Sequence, residues 1–244
     1  MLTLFSFGPN FGVIDPSSFV LKIDLYLRMA KIPFEVVKGV DNLQKSPKGK
    51  LPFIRDEERI IADSFFIQDY LQNQKGTTLD HHLSAEQQAV AHLIIKSLDE
   101  NFYWTIVYSR WVRDDTWPLI KHAFFSNMPW PLKYIVPIIA RKKTKNTLLK
   151  HGLGKHNDAE IMQIADATLV SLSNLLADKP YIFGDQPCSL DAAIFANLAQ
   201  LIIVDFDNPL CKLARSYDNL VAYCQRINQQ YYLPLNSIND TPQP

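Results

Sequence analysis

Ser46-Pro47-Lys48-Gly49-Lys50-Leu51-Pro52-Phe53, followed eleven residues after Pro52 by Asp63-Ser64, decides how the whole chain is read. The stretch reads as a loop feeding a strand, then a short hairpin, then a capped helix. Leu51-Pro52 stands where a strand should begin, and proline cannot donate a ladder hydrogen bond. A cis bond there turns the Leu51 N–H and C=O outward, toward an extended ligand. Asp63-Ser64 opens the next helix, where free N–H groups and the helix dipole favour a carboxylate. Together these features predict a receptor for a short, peptide-like anion.

Working outward, residues 2–7 are apolar and β-prone and stop at Gly8-Pro9-Asn10. Asp15-Pro16-Ser17 starts a helix with Leu21, Leu25 and Met29 on one face and Lys22 and Arg28 off it. Strands follow at residues 34–37, 53–55 and 59–61, and a helix at 64–74. The order is β-α-β, an open crossover, then β-β-α, a thioredoxin-like arrangement assigned to residues 1–76. Residues 77–83 read as a linker. Beyond them the strand signal disappears, and 84–233 reads as all-helical. A long helix is expected at 85–110, with Leu93, Leu98, Phe102 and Ile106 among its buried residues. Further helices are expected at 117–127, 132–147, 158–177, 189–201 and 213–229. Pro137 should kink the 132–147 helix or mark its true start. The polar, proline-bearing residues 234–244 read as a disordered tail.

The chain has 244 residues, 47% of them hydrophobic, enough for two modest domains. Its 25 basic and 25 acidic side chains cancel, so nothing global favours nucleic acid or an anionic surface. Cys188, Cys211 and Cys224 are too few for a disulfide scaffold, and no pair has metal-ligand spacing. Neither a signal peptide nor a membrane-spanning stretch is visible. The expectation is a protein of a reducing compartment, cytoplasmic, with no metal site.

A β-rich first third followed by helices resembles the glutathione S-transferase superfamily, and within it the failed-axon-connections/metaxin-like branch. The residues that carry the resemblance are Ser17-Ser18-Phe19-Val20-Leu21-Lys22, Tyr26-Leu27-Arg28-Met29-Ala30 and Ile32-Pro33-Phe34-Glu35. They continue through residues 46–53 and Ala62-Asp63-Ser64 to His151-Gly152-Leu153-Gly154-Lys155-His156. Tyr181-Ile182-Phe183-Gly184-Asp185-Gln186-Pro187 and Ser189-Leu190-Asp191-Ala192 complete the set. Their order is specific for an α+β fold of thioredoxin-like and all-helical halves, and much less so for an activity.

The resemblance implies bound glutathione as co-substrate. Leu51, ahead of a cis Pro52, would pair with its cysteinyl part, Asp63 and Ser64 would hold the γ-glutamyl end, and Lys50 would reach the glycine carboxylate. The bland readings are a solvated loop cation for Lys50 and a helix cap for Ser64. Ser17 occupies the family's catalytic place. The absence of a cysteine near it in sequence argues against a mixed-disulfide route, and a serine hydroxyl would instead donate to the glutathione sulfur and favour its thiolate. The alternative is that Ser17 or Ser18 is simply an N-cap, and Asp15 nearby would oppose a thiolate.

Tyr103, Trp104, Tyr108 and Trp111 are core residues at helical spacing, or line an electrophile pocket. Arg141-Lys142-Lys143-Thr144-Lys145 reads as a solvated helix end, with a membrane-surface or acidic-partner contact as the alternative. Cys188 and Asp191 fit a capping box, so Asp191 should be buried on backbone amides. Two functions stay open: a glutathione transferase acting on an apolar electrophile, as a homodimer, or a non-catalytic interaction or sorting module.

Overall fold

A computed structural model describes residues 1–232; the tail expected at 234–244 lies outside the described residues. Four strands form one sheet in the order β2-β1-β3-β4: β1 Leu2–Ser6, β2 Phe34–Lys38, β3 Phe53–Asp56 and β4 Arg59–Ala62. β1 runs parallel to β2 and antiparallel to β3, with Leu4 opposite Val36 on one side and Ile54 on the other. All five residues of β1 are buried, as suits a central strand covered on both faces.

Helix α1 (Ser18–Met29) makes the crossover from β1 to β2. Ten of its twelve residues are buried, so Lys22, expected off the apolar face, is inside. A four-residue helix α2 (Asn42–Lys45) fills the crossover that the sequence left open. Asn42 explains its place: its side-chain amide donates to the carbonyls of Ser6 and Val37, tying together the ends of two strands. Helix α3 (Ser64–Asn73) closes the sheet domain.

The remainder is helical. The expected long helix is α4 (Ala85–Ser97), a π-helical turn over Leu98–Phe102, and α5 (Tyr103–Trp111). The wider turn directs Leu98, Asp99 and Phe102 inward together. Leu93, expected in the core, is 68% exposed; Ala91 is the buried residue of α4. α6 (Trp117–Phe125) leads through a cis Trp130–Pro131 peptide to α7 (Leu132–His151). Pro137 lies inside α7 and does not mark its start.

α8 (Asp158–Leu176) precedes α9 (Ser189–Ile202), whose fourteen residues are all buried, the polar Ser189, Asp191, Asn197 and Gln200 included. α1 packs on α9, so the core runs unbroken from the sheet domain into the helical domain. The last expected helix is two, α10 (Pro209–Arg215) and α11 (Asp218–Tyr231). Asn208 accepts from the Cys211 amide and caps the first, and Tyr217 turns extended between them.

Candidate functional site

The sheet register gathers the candidate residues. Phe53 pairs with Phe5 on β1 and with Ala62 on β4. The loop into β3, the start of α3 and the β1–α1 connection therefore all leave the sheet at the C-terminal end of β1.

The Leu51–Pro52 peptide is cis. Among the described residues, neither the N–H nor the C=O of Leu51 has a hydrogen-bond partner, while the Pro52 carbonyl accepts from the Asp63 amide at 3.4 Å. Ser46 shapes the loop before it. Its hydroxyl donates to the Lys50 carbonyl at 2.6 Å and accepts from the Lys50 amide. Lys50 is exposed and makes no ion pair among the described residues. Lys48 instead lies over the Phe66 ring, 4.4 Å from its centroid.

Asp63, not Ser64, caps α3: its carboxylate accepts from the Phe65 amide at 2.9 Å. It holds φ +88°, a region costly for a residue with a Cβ and one found where ligands are held. Ser64 is buried, and its hydroxyl makes no hydrogen bond among the described residues.

Ser17 is the N-cap of α1, its hydroxyl accepting from the Val20 amide at 3.4 Å. It is half-buried, while Ser18 is buried inside the first turn. As an acceptor in that bond, the Ser17 hydroxyl keeps its proton for another partner.

Asp15, read from the sequence as a charge near the sulfur, is a clamp instead. One carboxylate oxygen accepts from the Phe7 and Gly8 amides, at 2.8 and 3.1 Å, and the other from the Ser17 amide at 2.8 Å. Burial pushes its carboxyl up from 3.8 to about 7, against the pull of those three amides. A raised carboxyl binds its proton more tightly folded than unfolded. Stability from this group is present below pH 3.8 and lost as pH rises through about 7. Asp15→Asn is expected to remove that slope and to cost about 1–3 kcal/mol, because its amide nitrogen meets a donor whichever way it is turned. Urea unfolding of both proteins across pH 4–8 checks this; an Asn variant with the parent's slope would reassign the titration.

The helical domain holds this loop from behind. Arg110, on α5, is buried and donates to the Pro16 carbonyl and to the carbonyl and side-chain oxygen of Gln200, all within 2.9 Å. The Gln200 amide donates to the Asp15 carbonyl at 3.0 Å. Burial pulls the Arg110 guanidinium down to about 10, which leaves it charged at neutral pH. No sequence signal singled out Arg110 or Gln200, because each finds its partner about 90 or more residues away.

Rings line the side of the loop that faces α6. Phe124 lies edge-on to both Phe7 and Phe11, and Trp111 stacks toward Phe124. Trp104, Tyr108 and Trp111 otherwise pack around Val107, Leu148, Leu153 and Ile161. All three cysteines are buried, and burial raises their thiols, Cys211 to about 11. None supplies a thiolate. A cleft of about 370 Å³ between α3 and α4, bordered by Phe65, Gln72, His92 and Lys96, includes none of the candidate residues.

The glutathione S-transferase N-terminal domain matches residues 18–116, beginning one residue past Ser17, and the C-terminal domain of the same family matches 165–227. The chain is 32% identical over 240 residues to isoprene-epoxide–glutathione S-transferase of Rhodococcus sp. (strain AD45), covering 95% of this chain and 99% of that one. Human metaxin-2 is 28% identical, over 87% of this chain and 81% of its own. Failed axon connections of Drosophila melanogaster is 32% identical, over 88% of this chain and 54% of its own. A glutathione S-transferase from Methylobacterium radiotolerans, solved with glutathione sulfonate, shares the fold at a TM-score of 0.61 and 15% identity, over 100% of this chain and 96% of that one. Near-complete coverage at this identity, on a mixed four-stranded sheet followed by helices, establishes that the chain belongs to the glutathione S-transferase superfamily, alongside its metaxin-like members.

Proposed function

We propose that the chain binds reduced glutathione at the C-terminal end of β1 and presents its thiolate to an apolar electrophile. The observation that carries this is the unpaired backbone of Leu51, at the same sheet end as the uncommitted Ser64 hydroxyl and the start of α3. Leu51 pairs with the cysteinyl backbone. Asp63 and Ser64 hold the γ-glutamyl end, with the amides of the first turn of α3 facing its carboxylate. Lys50, on its exposed stem, reaches the glycine carboxylate.

Ser17 donates to the sulfur and lowers the cost of losing the thiol proton to solvent. The thiolate then forms a carbon–sulfur bond as the bond to the leaving atom breaks. The name of the Rhodococcus relative makes a small epoxide the first electrophile to try, its opened oxygen taking a proton from water. Phe7, Phe124 and Trp111 are the apolar wall such a molecule would meet. A homodimer belongs to the same reading, with Ile60, Phe65 and Phe66 as exposed apolar residues for it.

Calorimetric titration with millimolar glutathione is the first test, and absence of heat would remove the proposal. If conjugation is seen, Ser17→Ala is expected to lower kcat about tenfold to a hundredfold with glutathione affinity retained. Unaltered turnover would strip Ser17 of its role.

The non-catalytic reading also has an observation behind it: Ser17 already serves as a helix cap, and no reactive thiol stands near it. Glutathione heat without conjugation of any epoxide or aryl halide would favour it.

A further inference from the structure

The solvent side of α7 is apolar in its first half and cationic in its second. Only Pro137 and Leu148 of its twenty residues are buried. Trp130 is 78% exposed, Ile138 69% and Ile139 61%, and Leu132, Tyr134 and Ile135 are about half exposed. Six large apolar side chains within residues 130–139 form a patch, not a scatter. At about 100° per residue, Leu132, Ile135, Ile138 and Ile139 share a side with Lys142, Lys143 and Lys150 further along the helix.

Charge is partitioned along the chain in the same place. Residues 116–157 hold eight Lys and Arg and no Asp or Glu, in a chain whose net charge is zero. The other 202 residues therefore carry a net −8, and the neutral total hides a basic face. Arg141 is committed to the fold. It pairs with Asp114 and donates to the carbonyls of Trp111 and Val112, fastening α7 to the end of α5. The seven lysines of the segment make no ion pair among the described residues.

We propose that the α6–α7 hairpin is a membrane-surface docking element. Residues 130–139 enter the boundary between headgroups and acyl chains of an anionic bilayer, and the lysines of the second half of α7 hold the phosphate headgroups. The chemistry favours a lipid plane over a protein groove. Trp130 and Tyr134 have apolar bodies and polar tips, the form that suits a bilayer interface. A protein partner disfavours only the carboxylates that face its own, whereas an anionic plane disfavours all of them across a hairpin. No described helix is long and apolar enough to cross a membrane, so α7 lies in the interface plane. The proposal does not rest on glutathione binding.

The test is flotation of the full chain with vesicles of phosphatidylcholine, alone and mixed with phosphatidylserine. The chain is expected to float with the mixed vesicles only, less as salt is raised. Trp130 emission should shift to the blue on binding, and Trp130→Phe should abolish the shift. Ile138→Glu with Ile139→Glu, and separately Lys142→Gln with Lys143→Gln, should each weaken binding about tenfold or more, with circular dichroism unchanged because all four side chains face solvent. Failure to float with mixed vesicles at low salt overturns the proposal, as does flotation that the double Glu variant retains. A dimer in sedimentation that the Glu substitutions dissolve, without flotation, also overturns it and assigns the patch to a second copy.

Discussion

Asp191→Ala is expected to destabilise the fold by about 3–5 kcal/mol, several times the loss of an ordinary exposed helix cap. Asp191 is 0% exposed and opens α9. One carboxylate oxygen accepts from the Ile182 amide and the Tyr223 hydroxyl, both at 2.9 Å. The other accepts from the Cys188 amide at 2.8 Å and the Cys188 thiol at 3.1 Å. Removing the carboxylate strands two backbone donors where water does not reach. Tyr223 alone keeps an alternative acceptor, the Asp191 carbonyl at 3.2 Å. Asp191→Asn should lose almost as much, since its amide nitrogen must face a donor on one side or the other. Urea denaturation followed by circular dichroism measures both. A loss under about 1 kcal/mol in the Ala variant would show that α9 is held by its packing and not by its first turn.

Asp191 was legible from the chain because a capping box is local: three residues separate donor and acceptor. The same holds for Leu51-Pro52 and for the helix start at Asp63-Ser64, although the cap proved to be Asp63 and not Ser64. The order of strands and helices followed from periodicity and turn residues in the same way. What escaped was non-local. Lys22 looked like a solvent residue because a charge on a helix usually is one. Its buried partner lies 77 residues on, in a π-helical turn with no sequence mark. Leu93 looked like core because apolar periodicity does not say which side of α4 meets a neighbour. Asp15 looked like a charge opposing the thiolate, and only the three amides around it show a clamp. The basic run at 141–145 was visible in the chain, but its charge was lost in a neutral total, and only the structure shows the exposed apolar side chains of residues 130–139 beside it.

Lys22→Met is expected to cost about 3–5 kcal/mol on its own, and most of that loss should return when Asp99→Leu is added. The Lys22 ammonium and the Asp99 carboxylate meet at 2.7 Å with 3% and 9% of their side chains exposed. Burial lowers the Lys22 ammonium despite its partner and raises the Asp99 carboxyl despite its own. Both directions mark a pair whose desolvation outweighs its attraction. Removing one member leaves a naked buried charge; replacing both with apolar groups of similar size removes the cost along with the gain. A double-mutant cycle in urea should therefore return a coupling close to the sum of the two single losses, with the double variant close to the parent. A double variant as unstable as the singles would mean that shape, not charge, is what the site requires. The pair joins α1, five residues after Ser17, to the wide turn between α4 and α5, and the Asp63 carboxylate adds to the attraction on Lys22. If the pair sets the register of the two domains beneath the proposed glutathione site, the double variant should keep its stability while glutathione affinity falls. Retained affinity would leave the pair as a costly contact with no part in binding.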